Sequence, residues 1–254
     1  MKVARFSSAG EDPRYGIVDD EEIVVLAGDP MFAGFQPTGE RVALADARLL
    51  APVIPRSKVV CVGLNYAAHR GDMANIDAPE NPLIFLKPNT AVIGPGDAIK
   101  IPPVEGRITH ESELVVVIGR IAKQVREEDW ADYVFGYTVG NDVSARDHMK
   151  REDWPFFSSD WFNQRVFDTS APIGPWITPA SEISDPHDLT LKTWINDNIM
   201  QDSSSRYMVF TIPEQIESLS RQMTLMPGDI IATGTCSSVG GARDTYLKAG
   251  DRVR

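Results

Sequence analysis

Runs of strand-forming residues, each cut off by glycine, proline or a charged cluster, set the pattern of this chain. The clearest is Leu114-Val115-Val116-Val117-Ile118-Gly119, which predicts a buried strand. Tyr133-Val134-Phe135-Gly136-Tyr137-Thr138-Val139-Gly140-Asn141 predicts a second, and an apolar strand starts at Lys58. Short strands over Lys2 to Phe6, Tyr15 to Val18 and Glu22 to Leu26, separated by Gly and Pro, predict a small β-rich N-terminal domain. The segments 127–132 and 213–220 read as short helices whose acidic first turns suit the helix dipole. A boundary at Arg56-Ser57 divides the chain into residues 1–56 and 57–254, and no internal repeat or low-complexity tract interrupts either part.

At 254 residues with 43% hydrophobic content, the chain can bury one substantial core plus a small accessory domain. No apolar run is long enough to span a bilayer, and Met1-Lys2-Val3-Ala4-Arg5-Phe6 lacks a signal peptide's apolar segment, so the expectation is a soluble, cytoplasmic protein. A formal charge of −11 and a pI near 4.8 disfavour nucleic acid and anionic membranes as partners, since both require clustered cations. Cys61 and Cys236 form no C-x-x-C pair, so neither a zinc site nor a redox dithiol is indicated. Cys61, within an apolar run, reads as a small buried hydrophobe, and no base can be assigned to Cys236.

Glu111 and Glu113 open directly into the first strand, and Asp142 ends the second. Positions i and i+2 of a strand point to one face with α-carbons roughly 6.5 to 7 Å apart, so the two glutamates can converge on one object. Three partly buried anions repel one another and lose hydration, a conflict that a hard divalent cation removes. All-oxygen ligation points to Mg²⁺, Mn²⁺ or Ca²⁺ rather than Zn²⁺, and leaves about three octahedral positions for water or substrate. The same spacing also describes two surface glutamates at a strand start and an aspartate capping a helix over 143–147.

Six segments, in order, resemble the fumarylacetoacetate hydrolase family over roughly residues 57 to 254: Cys61-Val62-Gly63-Leu64-Asn65-Tyr66-Ala67-Ala68-His69, Phe85-Leu86-Lys87-Pro88, His110-Glu111-Ser112-Glu113-Leu114, Gly136 through Asp147, Phe167 through Pro175, and Pro227 through Thr235. The resemblance implies an α+β fold, a mixed and strongly curved β-roll with short flanking helices, behind the small β-rich N-terminal domain. It also implies one or two further strands beyond Arg254. It carries over Glu111, Glu113 and Asp142 as ligands of Mg²⁺ or Mn²⁺ holding a β-diketo or 2-oxo acid, and a homodimer as the assembly. It further implies that His69, on a short lid helix, activates water with the help of the acid three residues on, Asp72.

This chain departs from the family pattern in three places. Asp72 stands where the family usually has Glu, Arg165 where it has Lys, and Cys236-Ser237-Ser238-Val239-Gly240 replaces a Pro-x-Gly-Val-Gly loop. Arg165 is a fixed charge with a planar fork, whereas a lysine can pass on a proton. The implied reaction is hydrolysis of a carbon–carbon bond through a metal-bound enolate, with Arg165 as a third catalytic residue and Lys87, Gln201 and Thr235 binding substrate. Isomerisation of a 2-hydroxydienoate and decarboxylation of an oxaloacetate-type acid use the same metal and enolate. A metabolite-binding homologue without catalysis is the alternative from another class. Asn196-Asp197-Asn198 resembles a hairpin turn in which Asn198 takes the left-handed conformation. His187 reads as part of a surface turn, His148 has no partner at ligand spacing, His110 stands beside the acids, Lys87 also suits a solvated loop, and Arg146 and Asp147 read as a structural ion pair or cap.

Overall fold

The apolar run at 114–118 lies inside a 12-stranded sheet and divides its side chains between two cores. Leu114, Val116 and Ile118 pack on one face with Val60, Val62, Tyr137 and Ile231. Val115 and Val117 pack on the other with Val59, Cys61, Ile173 and Ile230. Burial on both faces explains why the run is continuous rather than alternating. The structure, a computed structural model, describes residues 1–8, 10–72, 79–103, 106–147, 162–240 and 245–254, with the side chains of Arg70 and Asp72 outside that description.

The strands in chain order are β1 (Val3–Ser7), β2 (Arg14–Asp19), β3 (Glu22–Leu26), β4 (Pro37–Ala43), β5 (Arg48–Leu50), β6 (Val59–Gly63), β7 (Leu83–Lys87), β8 (Val92–Ile93), β9 (Ile108–Thr109), β10 (Ser112–Ile118), β11 (Val134–Asn141), β12 (Ser144–Ala145), β13 (Ala171–Pro179), β14 (Thr190–Ile195), β15 (Asn198–Ser204) and β16 (Ile230–Thr235). The large sheet runs β4-β3-β2-β1-β13-β11-β10-β16-β6-β7, with β5 on β1 and β8 on β13. It is mixed: β16 pairs with β6 and β13 with β8 in parallel, and its other pairs are antiparallel. Among the described strands β4 and β7 do not pair with each other, so the path stays open. The N-terminal meander joins the rest through β1 and β13, in register Val3↔Ile177. The architecture is α+β, mostly sheet with a few short helices.

Among the described residues three α-helices, α1 (Pro30–Ala33), α2 (Ala67–Asp72) and α3 (Ile212–Gln222), stand beside the sheet. In α3 the buried Ile212, Ile216 and Leu219 recur at helical spacing and join the core that holds Leu114 and Val116. The Glu214 carboxylate accepts from Thr211 N at 2.6 Å, and His187 Nε2 accepts from Ile212 N at 3.0 Å. His187 lies in the turn expected of it, its N donating to Asp185 Oδ1 at 2.8 Å, and from there it also caps α3. The 127–132 segment forms a 3₁₀ helix, Glu127–Tyr133. No helix among the described residues is long and apolar enough to cross a membrane.

The turn between β14 and β15 corrects one expectation. Asn196, with φ 54°, takes the left-handed conformation, while Asn198 already belongs to β15. The chain end pairs with this hairpin, Trp194 N donating to Arg254 O at 2.6 Å and Arg254 N returning a bond to Trp194 O at 2.9 Å. His148 lies outside the described residues.

Candidate metal centre

Strand pairing brings the three acids together. β10 and β11 are antiparallel in register Ser112↔Asn141, which sets Glu111 and Glu113 at one end of β10 against Asp142 at the end of β11. The backbone is tied across this junction: Asp142 N donates to Glu111 O at 2.8 Å and Glu111 N to Asn141 Oδ1 at 2.9 Å. One carboxylate oxygen from each acid lies within 4.8 Å of the others, and the residues are only 4, 2 and 3% exposed in the order Glu111, Glu113, Asp142. Residues 143–147 form no helix; Ser144–Ala145 form β12 against β9. The reading as surface glutamates and a helix cap is thereby excluded.

Among the described residues three cations face the acids. Lys87 Nζ donates to Asp142 Oδ1, and to Val143 O at 3.1 Å. Arg165 reaches Asp142 Oδ2 through Nε at 3.2 Å and Glu111 Oε1 through Nη2 at 3.4 Å, with its guanidinium 4.8 Å from the Phe85 ring centre. Arg146 donates to Glu111 Oε1 at 2.8 Å and to Thr109 Oγ1 at 3.2 Å. Lys87 is 2% exposed, so it is no solvated loop lysine. Arg146 and Asp147 do not form the ion pair expected of them, because the carboxylate of Asp147 pairs instead with Arg107 Nε at 2.8 Å. Arg146 and Ser144, whose hydroxyl donates to Glu111 Oε1 at 3.0 Å, are the site residues that sequence reasoning missed.

The acids differ in their electrostatics. Burial would raise the Glu111 carboxyl, but Arg146, Arg165, His69 and the Ser144 hydroxyl together hold it down to about 2. Glu113 has no ion pair among the described residues and takes one bond, from Gly234 N at 2.8 Å. Burial first, then the charges of Asp142 and Glu111, push its carboxyl well above the usual range. Gly234 has φ 103°, and a Cβ there would lie 2.6 Å from Asn65 Cβ, so this close approach requires glycine.

His69 on α2, Thr235 at the end of β16, Arg146 and Arg165 line one pocket with the three acids. The Asp72 backbone ends α2, three residues beyond His69. Gln201 is committed to the protein itself, donating from Nε2 to Thr235 Oγ1 at 2.9 Å and Cys236 O at 3.1 Å, and accepting on Oε1 from Ser112 N at 3.2 Å and Thr193 Oγ1 at 3.0 Å. Thr235 in turn donates to Ser112 O at 3.0 Å. These bonds hold the loop after β16 against the start of β10. Burial raises the Cys236 thiol to about 11, away from a nucleophilic thiolate.

Convergent, buried, all-oxygen donors fit a hard divalent cation, and Glu113 supplies a carboxylate with no counter-ion among the described residues. The three acids would hold the ion.

Residues 58–254 match the model for the fumarylacetoacetate (FAA) hydrolase C-terminal domain, and residues 1–52 match the Rv2993c-like N-terminal model. The chain belongs to the fumarylacetoacetate hydrolase family. It is an enzyme of that family. It is 40% identical over 216 residues to the oxaloacetate tautomerase YisK of Bacillus subtilis, covering 83% of this chain and 70% of the relative. The crystal structure of 2-hydroxyhepta-2,4-diene-1,7-dioate isomerase from Mycobacterium marinum superposes with a TM-score of 0.84 at 36% identity, covering 100% of this chain and 92% of the other. Maleylpyruvate hydrolase from Sphingobium sp. SYK-6, in complex with manganese(II) and pyruvate, superposes with a TM-score of 0.77 at 33% identity over 100% and 94% of the two chains.

Proposed function

We propose that this fumarylacetoacetate hydrolase family enzyme uses Mg²⁺ or Mn²⁺ to move a proton on a small 2-oxo dicarboxylic acid, interconverting keto and enol forms as in oxaloacetate tautomerisation. The observation that carries the reading is one buried pocket that joins three convergent carboxylates to the imidazole of His69. Likeness to the Bacillus oxaloacetate tautomerase supports it.

When bound, the cation supplies Lewis-acid chemistry, drawing electron density from neighbouring carbonyl and carboxylate oxygens and so acidifying the adjacent C–H. His69 takes that proton. The C–H electron pair becomes the C=C bond of the enol, and the proton goes to the carbonyl oxygen, so no atom is gained or lost. The role expected of Asp72, three residues on in α2, falls on a side chain outside the described ones. Arg165 contributes charge and no proton. That suits a shift run by one base better than a cleavage needing a separate proton donor. Arg146, with Nε and Nη2 engaged by Thr109 and Glu111, turns its remaining donors to a substrate carboxylate. Gln201 and Thr235 keep the pocket floor in place, and Lys87 holds Asp142.

A second reading, hydrolysis of a carbon–carbon bond in an acylpyruvate, is favoured by the likeness to maleylpyruvate hydrolase. There His69 activates water to attack the distal carbonyl, the carbon–carbon bond breaks, and a 2-oxo acid leaves as its enol.

The test is incubation with Mn²⁺ and either oxaloacetate or an acylpyruvate. Enol absorbance is followed by stopped flow and product mass by spectrometry. Faster enol–keto relaxation at unchanged mass, lost in Glu113→Ala and His69→Ala, supports tautomerisation. Acylpyruvate cleavage with added water and no effect on oxaloacetate replaces it with hydrolysis, and loss of CO₂ with decarboxylation. No change in any arm with folded, Mn²⁺-loaded protein defeats the enzymatic reading.

A further inference from the structure

Glu111, Glu113 and Asp142 bring three formal negative charges into one buried pocket, and Lys87, Arg146 and Arg165 set three positive charges against them. Among the described residues these charges cancel once all three acids are ionised to hold a cation, so a divalent ion then leaves two positive charges in excess. In buried surroundings, where Coulomb interactions are poorly screened, that excess is costly unless an anion arrives with it.

We propose that cation and substrate bind interdependently at this centre, and that a dianionic ligand is the one that completes its charge balance. The inference rests on the metal-enzyme reading above and adds to it a basis for choosing substrate. Arg165 carries the largest share, because one guanidinium serves two of the ligating acids, Glu111 at 3.4 Å and Asp142 at 3.2 Å, beneath the Phe85 ring. It is 3% exposed, so water does little to screen it. Lys87 acts on Asp142 in the same sense from its other oxygen. These cations lower the affinity for a lone divalent ion and raise it for an ion accompanied by two negative charges. By linkage, each ligand strengthens the other by the same factor. A monoanion leaves one positive charge unmatched and gains less. The centre therefore selects 2-oxo dicarboxylates over 2-oxo monocarboxylates that present the same head group.

Oxalate and oxamate have nearly the same shape but carry two charges and one. Mn²⁺ binding to the full-length protein is read from the electron paramagnetic resonance signal of free Mn²⁺, alone and with each ligand, corrected by a protein-free titration for Mn²⁺–oxalate complexes. Oxalate is expected to lower the Mn²⁺ dissociation constant at least about tenfold and oxamate less than about threefold. Arg165→Gln should bind Mn²⁺ more tightly than the wild type without ligand and respond less to oxalate, and Arg165→Lys should restore the wild-type pattern. Equal enhancement by the two ligands, or Mn²⁺ bound with an affinity that oxalate leaves unchanged, overturns the proposal. The wild-type comparison decides this even where a variant fails to fold. No Mn²⁺ binding under any condition is a different result, which removes the metal reading and the proposal with it.

Discussion

Replacing Lys87 with methionine removes an ammonium group from Asp142 while nearly conserving volume, so the cavity term is small. Breaking a buried ion pair by deleting one partner costs about 3–5 kcal/mol. Here Asp142 keeps its 3.2 Å bond from Arg165 Nε, which places the loss at the lower end, about 3 kcal/mol without a divalent ion. With the ion bound, Asp142 has a new counter-charge and the loss should shrink to about 1 kcal/mol. The difference of about 2 kcal/mol corresponds, by linkage, to roughly 30-fold tighter ion binding in Lys87→Met. Urea unfolding followed by tryptophan fluorescence, in EDTA and in saturating Mn²⁺, measures both losses, and a direct Mn²⁺ titration measures the affinity. An equal loss in the two conditions, or weaker Mn²⁺ binding by the variant, would falsify the reasoning. It would mean that Lys87 orders Asp142 for the ion rather than competing with it.

Glu113 makes metal uptake pH-dependent. Burial, then the charges of Asp142 and Glu111, raise its folded pKa above that of the unfolded chain. The folded, metal-free protein therefore holds a proton that the unfolded chain releases. This share of stability is complete below the unfolded pKa and is lost as pH rises through the folded one. Wild type should lose stability relative to Glu113→Gln as pH rises, and about one proton should be released per Mn²⁺ bound. Calorimetry in buffers of different ionisation enthalpy, showing no proton release, would refute it. At Asp229, fully buried, the carboxylate accepts from Ser57 N at 3.2 Å, Lys58 N at 3.0 Å, Met226 N at 2.8 Å and Lys58 Nζ at 2.6 Å. Asp229→Asn turns an NH₂ toward these donors and should cost about 3 kcal/mol in urea unfolding while leaving Mn²⁺ affinity unchanged. A stable variant with altered Mn²⁺ affinity would show that this turn serves the metal centre instead.

Glu111 and Glu113 were legible as a pair because their information is local: a strand alternates sides and an apolar run marks its buried part. That Asp142 joins them was implied by the family resemblance, and the antiparallel pairing of β10 with β11 brings it there. The partners of those acids were not legible, since they depend on which strands pair. Arg146 and Asp147 are neighbours in the chain and looked like an ion pair. The pairing of β12 with β9 in register Ala145↔Ile108 instead sets Arg107 beside Asp147 and leaves Arg146 to Glu111. Lys87 ends a short strand before a proline and suited a solvated loop. It is buried because β7 lies along β6 with Val59↔Lys87 in register, which carries the lysine to the metal acids. Gln201 carried a resemblance to a substrate-binding position. Its amide is taken up by Thr235, Cys236, Ser112 and Thr193, contacts that arise only when β15 folds over the start of β10. The α3 cap supplied by His187 crosses 25 residues, beyond the reach of capping rules that consider near neighbours.

The most direct measurement is anomalous diffraction from crystals grown with Mn²⁺. We expect one strong peak within bonding distance of a carboxylate oxygen from each of Glu111, Glu113 and Asp142, absent from crystals of Glu113→Ala. A manganese-soaked wild-type crystal with no anomalous peak between those carboxylates would contradict the account at its root.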